Sequence, residues 1–154
     1  MKKFLFSAGT RETAASAGLL ILRLGMGTLI AIHGLGKVKG WGETAKTWKS
    51  PDFIPVSWMS PPVSLGALVF AELVCGILLV IGLLTRPAAA ILAFAMGVAA
   101  FYRHANDPWM MGSGAAKEPA LLYLIFALAL LAAGAGRFSA DAAIHKEKRR
   151  WGGR

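Results

Sequence analysis

The chain has 154 residues, 56% of them hydrophobic and only 16% charged, against about 25% charged in an average soluble domain. That is enough for one compact domain, and too apolar for a soluble one to hide. The net charge of +9 does not point to nucleic acid, because the basic residues sit at the ends and no soluble module presents a patch.

Lys2, Lys3 and Arg11 precede the first apolar block. The Phe4-Leu5-Phe6 stretch resembles the start of a signal peptide, but its apolar core is too short and Arg11-Glu12 interrupts it. It reads as a cytoplasmic or interfacial lead-in. Block one then runs from about Ala14 to Gly36, with Arg23 inside it and His33 near its end. Gly25, Gly27, Gly34 and Gly36 form no phosphate loop, since no strand precedes them; in an apolar block small residues let helices approach closely.

The connection from Lys37 to Pro62 interleaves Trp41, Trp48, Phe53 and Trp58 with lysines and carries Pro51, Pro55, Pro61 and Pro62. Prolines forbid one long helix and tryptophans favour the headgroup layer, so an aromatic belt or a cap over the outer face is expected. Block two, Val63 to Leu84, has a single charge, Glu72, and the chain's one cysteine, Cys75. One cysteine excludes an internal disulfide or a CxxC redox pair, and Cys75 reads as a packing residue.

Thr85-Arg86-Pro87 is a tight connection, and block three runs from Pro87 to about His104, with Arg103 reaching for the interface. Block four spans Pro119 to Gly136 without a charge, punctuated by Gly134 and Gly136. The basic tail, residues 139–154, opens on a candidate N-cap, Ser139, then Asp141, and looks like a short helix against anionic headgroups with His145 solvated.

Each block approaches the roughly 17–25 apolar residues that a spanning helix needs. The expected fold is therefore all-α: a single integral-membrane domain, a four-helix bundle of up-down topology with an aromatic-rich connection between helices one and two. Four spans put both termini on one side. With the termini cytoplasmic, ten Lys and Arg fall inside and six outside, which favours that orientation.

A charge at the bilayer centre is costly and normally faces the bundle with a partner. Counting about 1.5 Å per residue places Arg23 near 12 Å and Glu72 near 18 Å from the inner boundary, so a buried Arg23–Glu72 ion pair is expected. The same count brings His33, Lys37, His104 and Glu118 together near the outer surface. Such a cluster could hold a metal, relay protons or hydrogen-bond a quinone carbonyl. No HxxxH or HxxE spacing occurs, so no metal site is assigned, and no cofactor beyond a quinone suggests itself. Structural readings stand beside these: a buried ion pair can serve only to fix helix packing, and interfacial histidines can merely bond backbone.

Leu22-Arg23-Leu24-Gly25, His33-Gly34, Lys37, Glu72, Gly82-Leu83-Leu84-Thr85-Arg86 and Gly136-Arg137-Phe138-Ser139-Ala140-Asp141, in that order from about Ala17 to Asp141, resemble the DoxX family. The resemblance implies a four-helix protein of the bacterial inner membrane. Some such proteins are subunits of thiosulfate:quinone oxidoreductases and others belong to oxidative- and thiol-stress defence. It carries over Arg23, His33, Lys37 and Glu72, with Arg86 as a structural end-cap. The larger extension of the thiosulfate-oxidising type is missing, which counts against that reaction. The reading that follows is a membrane subunit of a redox or stress-related complex with a quinone-facing or proton-handling site. It would have the lipid bilayer and a soluble oxidoreductase or sulfurtransferase-type protein as partners. A small proton-coupled transporter using Glu72 and a non-catalytic scaffold are the alternatives. A homodimer suits a bundle with so little interior room.

Overall fold

The computed structural model describes residues 12–52, 56–112 and 114–151, without the side chains of 146–151. Lys2, Lys3, Phe4, Leu5, Phe6, Arg11, Phe53, Pro55 and Arg154 lie outside the described residues, as do the side chains of Lys146, Lys148, Arg149 and Arg150.

All the regular structure described is helical. Helix α1 covers Glu12–Lys39 and α2 Trp41–Thr47; α3 spans Pro61–Ile81, α4 Thr85–Arg103, α5 Glu118–Ala133 and α6 Ala140–Trp151. Three of them (α1, α3 and α4) are long and apolar enough to cross a membrane. The fourth apolar block forms the 16-residue α5, about 24 Å long, slightly less than the roughly 30 Å hydrocarbon core. It packs extensively along α4, as α3 does along α1.

The helices begin and end where local chemistry says they should, with three adjustments. α1 runs past Gly36 to Lys39, because nothing in Gly36-Lys37-Val38 stops it until the turn at Gly40. α3 starts at Pro61, where two prolines suit the first turn, and ends at Gly82 in the left-handed region, φ 74°. α4 starts at Thr85, two residues ahead of Pro87. The Lys37–Pro62 connection contributes a short helix, α2, and then an irregular strap.

Ile30, Cys75, Leu79, Leu92, Phe126 and Leu130 lie at the heart of the core, which draws on α1, α3, α4 and α5. Large apolar side chains also point outward, among them Ile21, Ile32, Ile81, Phe94 and Ile125, each more than half exposed. A face like this is the reverse of a soluble surface and matches lipid as solvent.

α1 and α3 run antiparallel and nearly touch. Gly27 lies against Gly76 and Val80, and Gly34 against Leu73 and Glu72. A Cβ on Gly34 would stand 2.6 Å from the Leu73 backbone nitrogen, so only glycine permits this approach. α3 and α4 each contain a π-helical turn, Phe70–Val74 and Ala99–Arg103. The wider turn rotates the side chains beyond it, and such turns are frequent at functional sites.

Candidate functional site

The polar groups of the bundle gather at two ends. At one end the α3–α4 turn meets the segment that leads from α5 into α6. Arg23, fully buried on α1, donates through Nη2 to the Phe138 carbonyl, while its Nε and Nη1 have no hydrogen-bond partner within the described protein. It fills the space beside Gly82: a Cβ there would lie 1.6 Å from Nη1. The Arg137 amide donates to Ser16 Oγ at 3.1 Å, and the Asp141 amide donates to the Gly82 carbonyl at 2.9 Å.

α4 has no side-chain cap of its own, since Leu84 precedes it, and Leu84 is held in the left-handed region at φ 50°. The cap comes from α6. Asp141 accepts from the Leu84 and Thr85 amides at 2.8 and 2.9 Å, placing a carboxylate at the positive end of α4. Burial pushes the Asp141 carboxyl up, but these amides and the Arg23 charge outweigh it and hold it below the usual carboxylate range. Ser139 in turn caps α6, its Oγ accepting from the Ala142 amide at 3.1 Å. Arg86 reaches the Ala132 carbonyl at 3.4 Å at the end of α5.

At the other end Glu72, in the π turn of α3, is paired with Lys37 of α1. The ammonium lies 2.8 Å from Oε1 and 2.6 Å from Oε2. The Glu72 side chain is 4% exposed and that of Lys37 23%. The expected Arg23–Glu72 pair is therefore replaced by Lys37–Glu72. The reason is register. Glu72 stands level with Gly34, eleven residues beyond Arg23 on α1, about 16 Å away along the helix. Counting from apolar boundaries set both helices at a common start, whereas the first turns of α1 extend past the end of α3 to pack on Gly136 through Ser16 and Leu19.

The Lys37–Glu72 pair forms part of the wall of a cavity of about 560 Å³. His33, Tyr102, His104 and Tyr123 line it too, with a mostly apolar remainder from α1, α3, α4, α5 and the strap. The ring centroids of His33 and Tyr123 lie 6.4 Å apart with the planes tilted by 59°, within the range of aromatic contact.

Side-chain hydrogen bonds tie the strap across this cavity. Trp48 Nε1 donates to Ser64 Oγ at 2.9 Å, Ser50 Oγ shares a hydrogen bond with the same hydroxyl, and the Tyr102 hydroxyl donates to Asp52 Oδ1. Of the four residues expected to cluster, the structure brings His33, Lys37 and His104 to the cavity and leaves Glu118 out. Glu118 instead accepts from the Met111 amide at 2.8 Å, tying the α4–α5 loop to the start of α5. His104 pairs through Nδ1 with Asp107 Oδ2 at 2.7 Å. Among the described residues no group of three His, Cys, Asp or Glu is placed to hold a metal ion.

Sequence reasoning missed the strap's anchors and Asp141 as a cap for another helix. Ser64 and Tyr102 could have been found as lone hydroxyls inside apolar blocks, which need a partner when buried. Asp141 carried no such signal, because its partners lie 56 and 57 residues away.

No curated protein and no solved structure shows significant similarity to the chain. The DoxX family profile, however, matches residues 18–105, which takes in Arg23, His33, Lys37, Glu72 and the α3–α4 turn, and covers more than half of the sequence. The chain is a membrane protein of the DoxX family.

Proposed function

We propose that this protein is the membrane subunit of a redox or thiol-stress complex, and that its cavity receives a quinone-type ligand. The observation that carries the reading is a buried Lys37–Glu72 pair beside His33 on the wall of an otherwise apolar cavity. A quinone has an apolar body and carbonyl oxygens that accept hydrogen bonds, and a few convergent polar groups in an apolar pocket suit it. Lys37 and His33 would donate to the carbonyls, and a proton that either passes to the reduced quinone would be replaced from water, with the Glu72 carboxylate beside Lys37 as the relay. The electrons must come from a partner, a soluble oxidoreductase or sulfurtransferase-type protein, because the one cysteine is buried in the core.

In this reading α5 completes a four-span bundle in a bacterial inner membrane. The termini and the Arg23 end face the cytoplasm, as the distribution of Lys and Arg favours.

The test is purification from native membranes in mild detergent, with mass spectrometry of what stays bound and titration of a short-tailed quinone analogue. Wild-type protein should retain a quinone or a stoichiometric partner. His33→Ala and Glu72→Gln should weaken analogue binding by about tenfold, the loss of one good hydrogen bond to a charged group. Unchanged binding in variants that melt like wild type would sink the reading.

A further inference from the structure

The cavity has a charge pattern that a neutral ring ligand does not use. Three cations line it (Lys37, Lys49 and Arg103) against one carboxylate, Glu72. Lys37 is neutralised by both oxygens of Glu72. Lys49 and Arg103 are exposed and have no ion-pair or hydrogen-bond partner among the described residues. The two neighbouring carboxylates are engaged elsewhere, Asp52 by the Tyr102 hydroxyl and Asp107 by His104.

Elsewhere the wall turns apolar, with Ala67 and Leu68 on α3 and Ile91, Phe94 and Val98 on α4. Ile91 and Phe94 remain 43% and 52% exposed, so protein does not fully cover this wall, and in a bilayer the exposed part would meet hydrocarbon. An occupant can therefore be partly embedded in the bilayer while its polar end meets unpaired positive charge.

We propose that the cavity binds a single-chain amphiphile with an acidic head, of the long-chain fatty-acid class. Its carboxylate lies between Lys49 and Arg103, and its chain lies along the α3–α4 wall. The bilayer is as apolar as that wall, so the chain contributes little selectivity and the head decides it. The volume of about 560 Å³ is in the range of pockets for single small molecules. This proposal rests on the cavity and not on the quinone reading, since Lys49 and Arg103 have no part in the latter.

The experiment uses full-length protein in zwitterionic nanodiscs and follows quenching of Trp48, which lines the cavity, by dibromostearate. Trp48→Phe supplies the background from the other tryptophans. Saturable quenching is expected, weakened about tenfold when the acid is replaced by the dibrominated alcohol or when Lys49→Gln and Arg103→Gln are combined. Equal quenching by acid and alcohol, or no effect of the double substitution, overturns the proposal. Oleate should displace the probe and phosphatidylglycerol should not; displacement by phosphatidylglycerol at similar concentration identifies a phospholipid headgroup as the source of the anion and overturns the single-chain assignment. Binding of a quinone analogue without binding of dibromostearate overturns this proposal alone, and the converse overturns only the quinone reading.

Discussion

The two polar ends of this bundle use buried charge in opposite ways. At the Arg23 end the side chains are turned onto backbone: Arg23 on the Phe138 carbonyl, Asp141 on the Leu84 and Thr85 amides, Ser16 on the Arg137 amide. At the Glu72 end they are turned onto each other and onto an open space: Lys37 on Glu72, Trp48 and Ser50 on Ser64, Tyr102 on Asp52, around a cavity. The first arrangement closes chain ends that a membrane would otherwise leave unsatisfied. The second keeps polar groups beside room for a ligand. Residues of the same family signature are thus divided between a latch at the helix ends and the wall of a cavity.

The Arg23 latch is most sensitive at Gly82. Its φ of 74° and the Arg23 guanidinium beside it leave no place for a methyl group. Gly82→Ala is expected to cost about 4 kcal/mol, from left-handed strain plus overpacking, and to abolish folded protein in a detergent melt. Retention of a wild-type melting temperature would mean that the latch is not what holds the turn.

Next in size is the Lys37–Glu72 pair. Leaving either charge alone in its nearly buried position should cost about 3 kcal/mol, whereas removing both together is close to neutral. Glu72→Leu should therefore lower the melting temperature, and adding Lys37→Leu should restore most of it while ligand binding stays lost. A double variant that still binds ligand would move the pair from the site to the scaffold.

The smallest effect belongs to Asp141. Because its folded pKa is depressed, its contribution is fully present above the unfolded value of about 3.9 and is lost as pH falls through the lower folded value. Asp141→Asn keeps one acceptor oxygen and should cost about 1 kcal/mol at neutral pH. The gap between wild type and variant should hold steady from pH 7 to 5 and close below about pH 4. A gap that shrinks already between pH 7 and 6 would assign the effect to another group.

Much of the fold was legible in the chain. Apolar blocks located α1, α3, α4 and α5 to within a few residues, and Ser139 announced the start of α6. The membrane-facing character of those blocks required only composition and length, because a bilayer admits few ways of satisfying a backbone. At the site the sequence supplied candidates without partners. His33, Lys37, His104 and Glu72 do reach one cavity, but Glu72 was matched with Arg23 and Glu118 was added to the group.

What the sequence determined by itself is that a few charges sit inside apolar helices, which forces them to find partners. Which partners they find was decided by the tertiary structure. Gly34 lets α1 and α3 approach so closely that their register is fixed there, placing Glu72 beside Lys37 and leaving Arg23 about three helical turns away, against the α6 lead-in. A helix reports its own depth poorly, since its apolar block can begin inside or beyond that of its neighbour, and only backbone contact between helices reveals the offset.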